Sequence, residues 1–169
     1  VWGTQMVKLD PNAQVDGVFA LWYGKGPGVD RSGDVFKHGN IAGCSQHGGV
    51  LLVAGDDHAC KSSSLPHQSE HAFIAAMIPV LNPSGVREFI EFGLHGYAMS
   101  RYSGCWVGFK AISEVVESGM TVDLDAVPLD FPMPPANEAT PTSTSTPPQP
   151  SSTSRPSITS AKTAARRSA

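Results

Sequence analysis

Cysteine is scarce in this sequence: Cys44, Cys60 and Cys105 are the only three in 169 residues, widely spaced and odd in number. No CxxC pair or cysteine cluster is present, so neither a disulfide framework nor an iron–sulfur ligand set is encoded. Three reduced thiols in a cytoplasmic protein are expected. No apolar run is long enough to cross a membrane, and no signal-peptide pattern opens the sequence. The dinucleotide fingerprint GxGxxG and the phosphate loop GxxxxGK[ST] are also missing. Positive charge is short: the net charge is −3, and residues 136–169 alone hold Arg155, Lys162, Arg166 and Arg167 against Glu138. The rest therefore carries −6. An acidic domain with a short basic end is a poor nucleic-acid binder by charge.

Large apolar residues give out after Pro135. The run ANEATPTSTSTPPQPSSTSRPSITSAKTAARRSA has Ile158 as its only large aliphatic side chain. Such a composition cannot bury enough surface to offset backbone ordering. The expectation is a globular domain over 1–135 and a disordered Ser/Thr/Pro/Ala-rich tail over 136–169.

Within 1–135, apolar runs alternate with breaks. Val18 to Tyr23 and Val50 to Gly55 read as strands buried on both faces of a parallel sheet. Pro79 to Leu81 reads as a brief third strand and Cys105 to Phe109 as a fourth. Between them a helix is expected from Asp34, its cap, through DVFKHGNIAG, and a short one from His71 to Met77. A longer helix follows NPS, capped by Asn82 or Ser84, with Val86, Phe89, Ile90, Gly93, Leu94 and Tyr97 on one face. Ile112 to Ser118 reads as a last short helix. The pattern predicts a three-layer α/β domain, a mostly parallel sheet with helices on both faces.

Ligands of such sheets sit at the carboxyl ends of strands, where two motifs fall. In WYGKGPGVDRSGD, Gly24, Gly26 and Gly28 surround Lys25 and Pro27. Pro27 removes an N–H that a phosphate cradle would use, so the segment reads as a sharp turn whose glycines supply positive φ. Asp56-Asp57-His58, followed by Ser62-Ser63-Ser64, makes a polar site suited to a metal, a hydroxyl or a keto acid; the alternative is a capped turn with solvent serines. This connection is longer than a structural link requires, and such loops more often carry function. His67-Gln68-Ser69-Glu70-His71 fits HxxEH, the inverted zinc-peptidase pattern with two histidine ligands and a glutamate base. That chemistry needs both histidines on one helical face and an acidic third ligand downstream. The downstream candidates Glu88, Glu91, Glu114 and Glu117 fall in ordinary helical patterns.

Taken together, GVFALWYGKGPGVDRSGDVFKHGNIAG, HGGVLLVAGDDHACKSSSLPHQSEHAF and FGLHGYAMSRYSGCWVGFK resemble the indolepyruvate ferredoxin oxidoreductase family, nearest its long bacterial form with fused subunits. The resemblance covers Val1 to about Val122. It implies the pyrimidine-type domain of the thiamine diphosphate-binding fold, incomplete at the N-terminus. Family members oxidatively decarboxylate aryl 2-oxo acids such as indolepyruvate, use coenzyme A to form an acyl-CoA, and pass electrons through 4Fe–4S clusters to ferredoxin. The resemblance assigns the diphosphate, its Mg2+ and the clusters to other parts of the enzyme, including a companion thiamine diphosphate domain, and implies an oligomer. It also places the family's acidic residue for the aminopyrimidine upstream of Val1, and the family-like sequence stops after VDLDAVPLDFPMPP. A fragment, inactive alone, is the expectation.

On strand-end position, Tyr23 and Lys25 are the candidates after the first strand, Tyr23 to pack on an aryl group and Lys25 to pair with a substrate carboxylate. Asp57, His58, Ser62 and Ser63 are the candidates after the second, for polar contacts or proton transfer. No metal ligand is assigned in this segment by the resemblance. Two other classes remain open: a zinc peptidase using His67, Glu70 and His71, and a non-catalytic α/β interaction module. A thiamine half-site should show an unpaired apolar face.

Overall fold

The computed structural model describes residues 1–128, 130–132 and 134–135. The expectation of a disordered tail over 136–169 lies outside the described residues. The chain begins with α1 (Trp2–Gln5) and a 3-10 turn, Val7–Leu9. Then follow β1 (Phe19–Lys25), α2 (Gly26–Arg31), α3 (Gly33–Ala42), β2 (Gly49–Asp56), α4 (Glu70–Ala75) and β3 (Val80–Leu81). The chain continues through α5 (Val86–Ser103), β4 (Val107–Ile112), α6 (Ser113–Val116) and a second 3-10 turn, Leu124–Ala126. The four strands form one sheet in the order β1-β2-β4-β3, every neighbouring pair parallel. This is the α/β architecture that the alternating pattern predicts.

β2 is apolar from Val50 to Ala54 because both faces of that stretch are covered. Val50, Leu52 and Ala54 point to one face, where Val29 of α2, Phe36 of α3, Phe73 of α4 and Trp106 close over them. Leu51 and Val53 point to the other, against Val107 and Phe109 of β4 and Phe89, Phe92 and Tyr97 of α5. Full burial of each such side chain stabilises by about 1.5–3 kcal/mol. Helices therefore lie on both faces, giving three layers. α5 packs over β2 and β4 and meets β1 only at its start, where Tyr97 and Arg101 lie on the Phe19 ring. Phe19, Leu21 and Tyr23, alternate residues of this edge strand, are exposed in a row.

The glycine-rich segment departs from the reading of its sequence. Gly24, Gly26 and Gly28 all have negative or extended φ; the positive-φ glycines among the described residues are Gly43 (φ 80°) and Gly104 (φ 75°), which close α3 and α5. Helix α2 begins at Gly26, with Pro27 in its first turn, where a missing N–H breaks no helical hydrogen bond. Gly26 is needed for closeness: a Cβ there would overlap the imidazole of His67. The expected turn is thus a helix, α2, and the helix expected from Asp34 is α3. Asp34 sits in the first turn of α3 behind Ser32, the N-cap. α5 starts after Gly85, and Ser84 donates its N–H and hydroxyl to Glu88 Oε2 (2.6 and 2.9 Å) in place of capping.

Two helical glycines separate packing from propensity. A Cβ on Gly39 of α3 would run into the buried Trp106 ring, whereas a Cβ on Gly93 of α5 meets nothing within 4 Å. Gly39→Ala is expected to cost about 1–3 kcal/mol by overpacking. Gly93→Ala is expected to add about 0.5–1 kcal/mol through helix propensity. Urea denaturation checks both, and equal responses would contradict the assigned packing.

Candidate functional site

Strand register brings Lys25, Gly55 and Ala111 into one row at the carboxyl edge of β1, β2 and β4. Two of the three are small, so the row is a shelf. A Cβ on Gly55 would meet only backbone, Gly24 O at 3.8 Å and Lys25 Cα at 3.9 Å. Over the shelf opens a cleft of about 340 Å³, walled by Lys25, Asp57, Ser62, Ser113 and Glu117. A second recess of about 350 Å³, bounded by Tyr23, Gly24 and Val53, shares Lys25 and Gly55 with it. The two make one site with an apolar arm on Tyr23 and a polar arm on Asp57 and Ser62. Such strand-end crevices are where parallel α/β sheets bind ligands.

Asp57 builds the rim. Its Oδ1 accepts the Lys61 N–H (2.8 Å) and its Oδ2 the Ser62 N–H (2.8 Å). Its carbonyl accepts the N–H of His67 (3.2 Å), which closes the loop onto the strand end. The Ser62 N–H is the largest influence on this carboxyl; burial opposes it, and the Lys61 N–H, the Ser63 hydroxyl and the Lys25 charge reinforce it. Asp57 is held below its ordinary value and stays ionised. Lys25 Nζ donates to Ser62 O (2.8 Å) and Ser62 Oγ (2.9 Å), latching the loop to β1. Lys25, Asp57, Ser62 and Ser63 therefore belong to one rim, with Lys25 and Asp57 already engaged by the loop. Tyr23 stands free at 79% exposure on the apolar arm.

His58 parts from this group. Its Nε2 lies 3.2 Å from Lys110 Nζ, in a cluster with Asp56 and Glu70. Lys110 Nζ is 3.5 Å from Asp56 Oδ2 and 2.8 Å from Glu70 Oε2, and the Lys110 and Asp56 side chains are 4% and 0% exposed. Asp56 also accepts the Ser69 N–H (2.8 Å) and the Ser69 hydroxyl. Burial raises the Glu70 carboxyl, but the hydrogen bond and charge of Lys110, with His58 beside it, outweigh that and hold it below its ordinary value.

Sequence reasoning missed Lys110 and Ser69, and met Glu70 only inside HxxEH. The signal for Lys110 was one lysine in the apolar strand VGFKAI, whose neighbours are buried. The helix that HxxEH requires does not span 67–71. α4 begins at Glu70, so His67 lies ahead of it against Gly26, and His71 is exposed. The backbone over 67–69 is held instead by bonds to Asp57 and Asp56. Among the described residues, the donors close enough to share an ion are Asp56, His58 and Glu70, without either histidine of the motif.

Two outcomes follow from this arrangement. Asp57 and Glu70 are both depressed, so the unfolded chain binds more protons than the folded one as pH drops. Their stabilisation is complete above the ordinary values of 3.8 and 4.5 and is lost as pH falls through the lower folded values. Urea midpoints are expected to hold steady near neutrality and fall in acid, less steeply for Glu70→Gln; an unchanged acid slope in that variant would contradict the assignment. Lys25→Ala is expected to free the loop without unfolding the sheet. Trypsin should then cut after Lys61 several-fold faster at nearly constant thermal midpoint.

Compared with protein-family models, with curated proteins and with solved structures, the chain finds no match in any of the three.

Proposed function

We propose that this chain is the pyrimidine-side domain of a thiamine diphosphate-dependent 2-oxo acid oxidoreductase of the indolepyruvate:ferredoxin kind. The observation that carries the reading is the strand-end shelf. A flat aromatic ring needs a floor without side chains and an apolar wall, and Gly55, Ala111, Tyr23 and Val53 supply them. The sequence runs that resemble the family supply both arms of the site. The exposed row Phe19, Leu21 and Tyr23, met by α5 only at Phe19, supplies the apolar face that a half-site domain would present to its companion.

In this reading each residue has a limited task. Gly55 lets the ring approach the backbone, and Tyr23 packs beside it or beside the aryl group of the 2-oxo acid. Lys25, fixed by Ser62, brings one positive charge to the rim, towards the carboxylate of the 2-oxo acid. Asp57 stays anionic and holds the loop that keeps Lys25 in place. The cofactor, once bound, supplies the carbon nucleophile and electron sink for decarboxylation. Mg2+, the diphosphate, coenzyme A, the 4Fe–4S clusters and ferredoxin belong in this reading to the remainder of the enzyme.

The test uses the aminopyrimidine alcohol that forms one half of thiamine, titrated into the labelled chain and followed by amide NMR shifts. Shifts are expected to centre on Tyr23, Lys25, Gly55 and Ala111. Gly55→Leu is expected to weaken binding by about tenfold or more, since even 1.4 kcal/mol gives that factor. Its thermal midpoint should stay near the wild-type value, because the new Cβ meets only ordinary contacts. Shifts elsewhere, or full binding by Gly55→Leu, would remove the shelf from the reading.

A further inference from the structure

We infer that Asp56, His58 and Glu70 form a divalent-cation site in which the chain's own Lys110 ammonium takes the place of the ion. The inference stands apart from the proposed function and rests on the cluster alone. One oxygen of Asp56, one ring nitrogen of His58 and one oxygen of Glu70 lie within 4.8 Å of one another. Carboxylate oxygen and imidazole nitrogen are both donors that zinc accepts, and carboxylates suit manganese. At the centre of the three sits Lys110 Nζ, 3.5 Å from Asp56 Oδ2, 3.2 Å from His58 Nε2 and 2.8 Å from Glu70 Oε2. His58 Nε2 accepts a hydrogen bond from the ammonium, and the two carboxylates pair with its charge.

The surroundings are those of a built site. The Ser69 N–H and hydroxyl fix the orientation of Asp56, as outer hydrogen bonds fix a metal-binding carboxylate. Glu70 Oε2 is buried, and Lys110 is its ionic partner. Charge explains why the lysine holds the place. Two carboxylates with the ammonium leave the cluster at −1, and an incoming ion would have to expel a side chain only 4% exposed. Without the ammonium, the buried Asp56 and the partly exposed Glu70 carboxylates face an imidazole lone pair, which is the electrostatic condition for capturing a divalent ion. His58, partly exposed, offers the way in.

The experiment is equilibrium dialysis of the full chain against zinc chloride and manganese chloride, with thermal melts at each metal concentration. Wild type is expected to bind no ion that depends on His58, and Lys110→Arg likewise, since it keeps a cation in place. Lys110→Ala is expected to bind about one zinc ion per chain and to gain roughly 5 °C or more in Tm at saturation. Lys110→Ala combined with His58→Ala is expected to lose both effects, which sets the site apart from surface histidines such as His71. If Lys110→Ala folds only with zinc present, the inference holds. If it folds yet binds no zinc, or stays unfolded with and without zinc, the inference fails. Stoichiometric zinc on wild type that His58→Ala removes overturns it as well.

Discussion

A carboxylate at the end of a buried strand must be met by a cation and by N–H and O–H donors, and the carboxyl end of this sheet is arranged around that demand. Asp56 closes β2 with no exposed side-chain surface. An uncompensated charge there would cost several kcal/mol. Lys110 answers it from β4, Ser69 from the turn before α4, and Glu70 balances the lysine in turn. The register of β4 against β2 and the starting point of α4 are thereby tied to one side chain. Asp57, the next residue, answers to the loop instead: its carboxylate gathers the N–H groups of Lys61 and Ser62, and Lys25 pins the same loop from β1. Two adjacent acids thus serve two separate structures.

β2 was legible because a strand covered on both faces is apolar through its middle; β1, expected to be buried in the same way, is an edge strand that exposes Phe19, Leu21 and Tyr23 on one face. VFALWY and VLLVAG announced β1 and β2 to within two residues. α5 was legible as a helix from its apolar spacing, but the face on the sheet carries Phe89, Phe92, Gly96, Tyr97 and Ser100, while Gly93 and Leu94 of the expected face turn outward. α2 was not legible, because GPGVDR opposes helix formation by composition; it forms where Val29 enters the core and the His67 ring lies on Gly26. The resemblance to a known family named these same runs, and the parallel α/β sheet it implied is present.

Site residues were legible by position and not by partner. Strand-end reasoning pointed to Tyr23, Lys25, Asp57, Ser62 and Ser63; Lys25, Asp57 and Ser62 line the cleft, Tyr23 the recess beside it, and Ser63 neither. It placed no limit on what each would touch. Lys25 meets Ser62 across 37 residues, and His58 meets Lys110 across 52. No local pattern carries contacts of that range. HxxEH shows the reverse error: a spacing implies a helix only where the helix has already begun, and here it begins at the glutamate.

The row Lys25–Gly55–Ala111 depends on a side-chain period of two. One residue inserted into β2 ahead of Gly55 would exchange its faces, sending Ala54 to the shelf and Gly55 into the core. The same slip would move Asp56 away from Lys110. Floor, core and ion cluster therefore cannot drift apart through insertions or deletions within the strands. Length can change only in the connections, above all between Cys60 and Pro66, so divergence here would alter the cleft's roof and spare its floor.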